Sequence, residues 1–262
     1  MGVLNVTPDS FSDGGDFLDP GAATRRLGQM AAEGAAICDV GAESTRPGAE
    51  PVPAAEQLRR LAPVFAAMSS GRHVAVSIDT SSAPVADAAI RAGAVLVNDV
   101  TAGRGDGDLL PAVADRGAAV CLVHMKGEPR TMQADPDYDD VVREVRSFLE
   151  ERLAAATGAG IPERNVLLDP GIGFGKRRRD NLALLRHLGA LRSLGRPILI
   201  GASRKSFIGE PSGPPPGQRL EGSLAAEALA IVEGADIIRA HDVLQAARVA
   251  RLCDAVLRTR DV

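Results

Sequence analysis

The chain has 262 residues, of which 45% are hydrophobic and 24% are charged, with 28 glycines, 17 prolines and a formal net charge of -4. This composition excludes a disordered or collagen-like chain, and the length favours one large α/β domain or two smaller ones. Apart from the run from Lys176 to Arg179, the basic residues are scattered without aromatic residues between them, which argues against a nucleic-acid binder.

The three cysteines, Cys38, Cys121 and Cys253, lie in apolar runs and form no C-x-x-C pair. This is typical of buried thiols in a reducing compartment. The first residues lack the features of a signal peptide, and no apolar run reaches the roughly 18 residues of a membrane span. We therefore expect a cytoplasmic protein without nucleic-acid or membrane partners.

Short β-type runs alternate with amphipathic helical stretches along the chain. Several runs are continuously apolar, which is typical of parallel strands covered on both faces. The predicted strands are residues 2–6, 35–40, 73–78, 95–98, 118–123, 166–168, 197–200 and 236–239. The predicted helices include residues 24–33, 56–68, 83–92, 139–156, 182–194, 220–234 and 243–257.

This order predicts a single-domain (β/α)8 TIM barrel over residues 1–262, because each parallel neighbour needs a helical crossover. A doubly wound open sheet is the alternative. An open sheet of that kind would bind its ligand at one switch point and often has a G-x-G-x-x-G after the first strand. This chain has no such motif there, and its polar residues lie at the ends of nearly all the strands, which favours the barrel. Residues 209–218, rich in Pro and Gly, are predicted to be a variable loop after the seventh strand.

Polar side chains stand at the carboxyl end of nearly every predicted strand. Taken singly, such residues are usually helix caps or turn residues drawn from Ser, Thr, Asp and Asn, but this set also contains Lys, Arg and two His. The set is Asn5, Asp39, Asp79, Asn98, Asp99, His124, Asp169, Lys205, Arg239 and His241. In a barrel these residues converge on one mouth, which predicts a ligand site there.

The set offers two chemistries. Asp79, Asn98 and Asp169 can accept hydrogen bonds from a heterocycle rich in N–H groups. The cationic residues, which suit a phosphate or pyrophosphate, are Arg46, Lys205 and Arg239, with His241. No H-E-x-x-H, cysteine cluster or D-x-D-x-D-G is present, so we expect any cation to be Mg²⁺ shared with substrate phosphates beside Asn5. No G-x-S-x-G or cysteine at the ring indicates covalent catalysis.

Two loops, residues 5–15 and 41–48, have compositions suited to mobile lids over a ligand. Phe11 is the single aromatic residue of the first loop, and Arg46 precedes Pro47 in the second. Ordinary turn chemistry between strand and helix is the alternative interpretation.

Seven separated motifs resemble the dihydropteroate synthase family in content and order. They are N-V-T-P-D-S-F-S-D-G-G (5–15), D-V-G-A-E-S-T-R-P-G (39–48), S-I-D-T (77–80), N-D-V (98–100), L-D-P-G-I-G-F-G-K (168–176), G-A-S-R-K-S-F-I-G (201–209) and R-A-H-D-V (239–243). Because all seven motifs occur in the family's order and in register with it, from the first residues to about Val243, the resemblance is highly specific.

The resemblance implies a TIM barrel enzyme of folate synthesis that joins 6-hydroxymethyl-7,8-dihydropterin diphosphate to p-aminobenzoate and releases pyrophosphate. It implies a pterin-binding set of Asp79, Asn98, Asp169 and Lys205. It implies a diphosphate and Mg²⁺ end of Asn5, Arg239 and His241, with Thr45 and Arg46 nearby. It implies a p-aminobenzoate pocket of Phe11, Pro47, Phe174 and Ser206, with Asp13 as a loop acid closing on the intermediate. The implied catalytic residues are Asp13, Arg46, Lys205, Arg239 and His241.

The family also suggests a homodimer formed through outer helices. Its members usually carry a short N-terminal segment that plugs the barrel floor, so we expect that segment to be missing from this chain. Where the family commonly has a His before Asn181, this chain has Asp180, which we expect to be a surface or N-cap change. Two alternative functions are a methyltetrahydrofolate-binding methyltransferase domain and a non-catalytic pterin-binding paralogue.

Overall fold

A computed structural model describes residues 1–6, 20–44, 48–69, 74–128, 130–134, 136–209, 213 and 215–258. Within these residues, strands and helices alternate from β1 to α8. The strands are β1 (Gly2–Asn5), β2 (Ile37–Gly41), β3 (Ala75–Asp79), β4 (Leu96–Asp99), β5 (Ala119–Val123), β6 (Val166–Asp169), β7 (Leu199–Ile200) and β8 (Ile237–Ile238). The helices are α1 (Pro20–Glu33), α2 (Ala54–Ser69), α3 (Ala83–Ala92), α4 (Leu109–Arg116), α5 (Val141–Gly158), α6 (Arg178–Arg186), α7 (Leu220–Val232) and α8 (Val243–Arg258).

The strands form a parallel ring in chain order. β1 to β6 make one sheet and β7 pairs with β8. Between these two sheets are two seams, each held by a single parallel bridge. Leu168 of β6 pairs with Ile198 just before β7, and Gly2 of β1 pairs with Ala240 just after β8. The predicted (β/α)8 barrel is confirmed in the order and direction of its strands, although the seams hold single bridges rather than full ladders. A doubly wound sheet would instead place β1 inside the strand order.

Two helices differ from the ranges predicted from the sequence. α4 lies outside those ranges; it ends at Arg116 and is followed by Gly117, whose φ of 66° suits glycine. The helix predicted over residues 182–194 is divided, because α6 ends at Arg186 and a 3₁₀ helix follows over Leu188–Leu194. His187, at the junction, has a non-helical φ of -118°.

The core has two layers. The larger lies between the strands and the surrounding helices, while a smaller cluster fills the barrel interior with Leu96, Cys121, Val123 and Leu199. Alternate residues of each parallel strand face inward, so this cluster lies beneath the polar strand ends and supports them.

A cavity of about 220 Å³ lies at the opposite, amino-terminal end of the strands. It is lined mostly by apolar residues, including Met1, Ile37, Ile238 and Val243. In the described part of the chain, no helix has both the length and the apolar character that crossing a bilayer requires.

Candidate active site

Strand register aligns the first polar residues of the site. Asn5 pairs with Gly41, Gly41 with Asp79, and Asp79 with Asn98 across four neighbouring strands. Residues in register on parallel strands face the same side, so all four positions point into the barrel mouth. A Cβ atom on Gly41 would lie 3.3 Å from the Asp79 Cβ, so glycine preserves space between Asn5 and Asp79.

Asp39 connects Asn98, one of these residues, to Arg239 through hydrogen bonds. Its Oδ2 atom accepts from the Arg239 Nε at 2.6 Å and from the Asn98 Nδ2 at 3.0 Å. Arg239 also donates through a terminal nitrogen to the Asp79 Oδ2 at 2.9 Å. Sequence reasoning placed Asp39 at a strand end without assigning it a role. The available signal was an acidic residue within the apolar run of β2, two positions before Gly41 and therefore on the same inward face.

The charges of this network are strongly coupled. The pKa of Asp79 is raised to about 7, first by burial and then by the charge of Asp39, while the charge of Arg239 opposes both effects. Burial also disfavours the charged form of Arg239, but Asp39 and Asp79 outweigh it and hold the Arg239 pKa above its ordinary value. The arginine is therefore charged, and Asp79 titrates near neutral pH.

Two buried acceptor atoms of the network have no hydrogen-bond partner among the described residues. They are the Asp39 Oδ1 and the Asn98 Oδ1. Both residues are less than 5% exposed. Buried acceptors without partners are costly, and a bound molecule presenting N–H groups would satisfy them.

Asp169 and Lys205 form the adjoining part of the mouth. The Asp169 Oδ1 accepts from the Gly171 N–H at 2.6 Å. Burial raises the pKa of Asp169, against the opposing charge of Lys205. Burial lowers the pKa of Lys205 to about 8, with Asp169 opposing. The Lys205 Nζ donates to the Ile172 carbonyl and lies 4.5 Å from the centroid of the Phe174 ring.

Phe174 and Ser206 occupy neighbouring but different environments. Phe174 packs against the interior cluster of the barrel. Ser206 is exposed and begins a 3₁₀ helix over Ser206–Ile208. The structure therefore brings Phe174 to Lys205, while Ser206 follows Lys205 at the rim.

His241 lies against the loop after β7. Its backbone N–H donates to the Ser203 Oγ at 3.2 Å, and its Nδ1 lies 3.2 Å from the same oxygen. Burial, followed by the charges of Arg239 and Arg204, lowers the pKa of His241 to about 4. The imidazole is therefore neutral at pH 7 and can donate a hydrogen bond without carrying charge.

A buried lysine, whose role sequence reasoning missed, organises the loop after β6. The Lys176 Nζ lies 2.8 Å from the His124 Nδ1 and donates to the Gly171 and Phe174 carbonyls, each at 3.0 Å. Burial lowers its pKa well below the ordinary value, and burial together with Lys176 lowers the pKa of His124 to about 2. His124 at the end of β5 thus anchors this loop.

Asp180 caps α6 in a way that differs from the expectation. It is buried rather than on the surface, and it occupies the third helical position rather than the N-cap. Its Oδ2 accepts from the Arg177 N–H at 2.9 Å, which completes a capping box.

Five predicted site residues lie outside the described part of the chain, namely Phe11, Asp13, Thr45, Arg46 and Pro47. Among the residues that are described, no three of His, Cys, Asp and Glu approach closely enough to hold a metal ion. The predicted Mg²⁺ beside Asn5 stays a prediction.

Comparison with known proteins identifies a family and close relatives. A family model described as pterin binding enzyme matches residues 1–241. Dihydropteroate synthase of Escherichia coli K12 is 44% identical over 261 residues, covering 100% of this chain and 92% of the relative.

Solved structures agree with the sequence relatives. A dihydropteroate synthase of Yersinia pestis in a sulfonamide complex superposes with a TM-score of 0.93 at 42% identity, covering 99% of this chain and 94% of that one. A dihydropteroate synthase of Xanthomonas albilineans with 4-aminobenzoic acid gives a TM-score of 0.91 at 47% identity, covering 99% and 93%.

Proposed function

The chain belongs to the pterin-binding enzymes and, within them, to the dihydropteroate synthase family, and on this premise we propose that it makes 7,8-dihydropteroate. It is a transferase that condenses 6-hydroxymethyl-7,8-dihydropterin diphosphate with p-aminobenzoate and releases pyrophosphate in folate biosynthesis. One observation carries this proposal. In the barrel mouth, the Asp39 Oδ1 and Asn98 Oδ1 are buried acceptors without a hydrogen-bond partner among the described residues, and they lie beside the cationic Arg239, which donates to Asp39.

The acidic side of the mouth suits the pterin. Asp79, Asn98 and Asp169 supply oxygen acceptors to the N–H groups of the heterocycle, and Asp39 contributes its unpartnered oxygen or holds Asn98 in place. Lys205, above the Phe174 ring, closes this subsite on the side of the loop after β7.

The cationic side suits the diphosphate. Arg239 brings a permanent charge, and neutral His241 can donate to a phosphate oxygen. Asn5 is the residue that would hold Mg²⁺ together with the phosphates, and the ion would neutralise charge on the leaving pyrophosphate. Thr45 and Arg46 are proposed to complete this end.

The two sides match the charges that develop during the reaction. As the C–O bond to pyrophosphate breaks, its electrons leave with the anion, and the pterin methylene becomes a cation delocalised into the ring. Arg239 and His241 stabilise the anion, while the ionised forms of Asp79 and Asp169 stabilise the cation. The neutral aryl amine then forms the new C–N bond and releases a proton, so no strong base or covalent nucleophile is required.

The second substrate is proposed to bind at the rim. Phe174 and Ser206 lie beside Lys205, and Phe11 and Pro47 would complete the pocket, with Asp13 closing over the intermediate. The Xanthomonas albilineans relative bound to 4-aminobenzoic acid supports this substrate, and the sulfonamide complex of the Yersinia pestis relative supports a similar inhibitor.

The chain is further proposed to act as a cytoplasmic homodimer. The outer surface of α7 and α8 exposes large apolar side chains, here called the α7–α8 face: Leu229, Val232, Leu252, Val256 and Leu257. Large apolar side chains that stay exposed on neighbouring helices commonly mark an association site, and the family resemblance suggests dimer contacts through outer helices.

A turnover assay tests the proposed activity. Purified protein is given Mg²⁺ and the pterin diphosphate, with and without p-aminobenzoate, and pyrophosphate and dihydropteroate are measured. We expect p-aminobenzoate to drive release of one pyrophosphate per dihydropteroate formed. Pterin binding without turnover would indicate a non-catalytic paralogue, and binding of methyltetrahydrofolate in place of turnover would indicate a methyltransferase-type domain.

A further inference from the structure

Arg204, between Ser203 and Lys205, adopts an unusual backbone conformation. Its φ is +59°, in the left-handed region that a side chain other than glycine rarely occupies. A side chain other than glycine adopts this conformation at an energetic cost, so the surrounding structure must hold it in place.

The contacts of Arg204 fix both its backbone and its side chain. Its N–H donates to the Ser223 Oγ at 2.9 Å, and its carbonyl accepts from Arg219 at 3.0 Å. Its guanidinium makes a two-pronged pair with Asp242, including an Nε to Oδ2 hydrogen bond of 3.0 Å. α7 therefore holds the backbone, while the loop after β8 holds the side chain.

The neighbours of this pair are the residues assigned to substrate. Ser203 precedes Arg204 and contacts the His241 Nδ1 at 3.2 Å, and Lys205 follows Arg204. Asp242, in turn, follows His241 directly. The pair thus joins the loops after β7 and β8 at the point where each presents a cationic or imidazole group to the mouth.

We propose that Arg204 and Asp242 are positioning residues that hold Lys205 and His241 in fixed relation, so that the pterin and pyrophosphate subsites are assembled together. This inference rests on the proposed function. Neither residue of the pair contacts a reacting atom in the proposed reaction. It acts through the two residues beside it, and its loss displaces His241 relative to Arg239.

Asp242→Asn separates positioning from a simple charge effect. It removes a negative charge near the proposed pyrophosphate site, so charge alone would tighten pyrophosphate binding. Loss of positioning would weaken it. Arg204→Gly provides the second variant, because it removes the guanidinium and also the left-handed backbone penalty, so a folding defect is not expected.

The experiment measures calorimetric binding of pyrophosphate with Mg²⁺, followed by turnover, for wild type, both variants and Arg59→Gln. Arg59 is a matched control, since it makes an exposed two-pronged pair with Glu56 on α2, at 2.7 and 2.8 Å. We expect the pyrophosphate dissociation constant to rise about tenfold in both variants and to stay unchanged in the control. We also expect kcat to fall about 10- to 100-fold.

Circular dichroism first establishes that each variant is folded at the assay temperature, because an unfolded fraction would by itself raise the apparent dissociation constant. A change measured on folded protein then reports on the site and not on a general loss of stability. The inference is overturned if folded Asp242→Asn binds pyrophosphate as tightly as wild type or more tightly. In the double variant Arg204→Gly/Asp242→Asn, losses that simply add relative to the two single changes would also contradict a pair acting as one unit. A wild type that binds pyrophosphate but never turns over would reject the synthase proposal alone.

Discussion

The charge of Asp39 acts on Asp79 across the shared Arg239 side chain. Because burial and Asp39 together raise the pKa of Asp79 to about 7, we expect kcat/KM for the pterin diphosphate to rise with pH through about 7 as Asp79 ionises. In Asp39→Asn, the largest charge effect that raises the pKa of Asp79 is removed, so the midpoint should move to lower pH.

The measurement is a pH profile of kcat/KM, which reports ionisations of the free enzyme. Asp87→Asn is the control, because Asp87 lies on α3 and pairs with Arg91 and Arg116 at the surface. An unchanged midpoint in Asp39→Asn would show that Asp79 is not the group observed.

Glu227 is a second buried carboxylate whose ionisation opposes folding. It is 2% exposed, its Oε2 has no hydrogen-bond partner among the described residues, and burial followed by the charge of Asp242 raises its pKa to about 7. The folded protein therefore binds this proton more tightly than the unfolded chain does. Stability should fall as pH rises from the unfolded pKa near 4.5 through about 7.

Glu227→Gln should consequently raise the free energy of unfolding at pH 8, by up to about 3 kcal/mol, and change it much less at pH 5. Urea unfolding at the two pH values measures this, with Glu221→Gln on the exposed side of the same helix as control. Equal effects of Glu227→Gln at both pH values would reject the linkage.

At the level of elements, the loop after β6 passes very close to β5. Gly171 has a φ of +67°, and a Cβ atom there would overlap the His124 carbonyl oxygen. Gly195 has a nearly identical φ of +68°, with nothing within 4 Å of a Cβ atom. The two glycines therefore share the backbone requirement and differ in steric contact.

We expect Gly195→Ala to cost about 1–2 kcal/mol of unfolding free energy, the usual left-handed penalty, and Gly171→Ala to cost clearly more. Gly171→Ala should also weaken pterin binding, because the Gly171 N–H donates to Asp169. Denaturant unfolding of both variants checks the comparison, and similar losses would mean that the loop moves away without penalty.

Sequence reasoning located most elements because hydrophobic runs and strand-end polar residues follow directly from a parallel barrel. It missed α4, a short helix of 8 residues, because two turns provide little periodicity. It also missed the roles of Asp39, Ser203 and Lys176, since each depends on a partner distant in the chain. Contacts between loops cannot be deduced from spacing within one loop.

For the whole molecule, the α7–α8 face predicts association. Leu252 is 66% exposed and Val256 is 73% exposed on α8, and both lie on this face. Leu252→Glu should shift the protein from dimer toward monomer in light scattering, whereas Val95→Glu, at an exposed apolar position away from the face, should not. A wild-type protein that is monomeric at high concentration would reject the homodimer.

The barrel mouth is proposed to contain a pterin subsite and a separate pyrophosphate subsite. Calorimetry of two ligands with two variants tests it most directly. Asp169→Asn should weaken binding of 6-hydroxymethylpterin, by about 1–3 kcal/mol, because an amide presents a donor to a donor, while pyrophosphate binding persists. His241→Gln should weaken binding of pyrophosphate with Mg²⁺ and leave the pterin affinity unchanged. If folded variants instead lose both ligands together, or lose neither, the division of the mouth into these two subsites is contradicted.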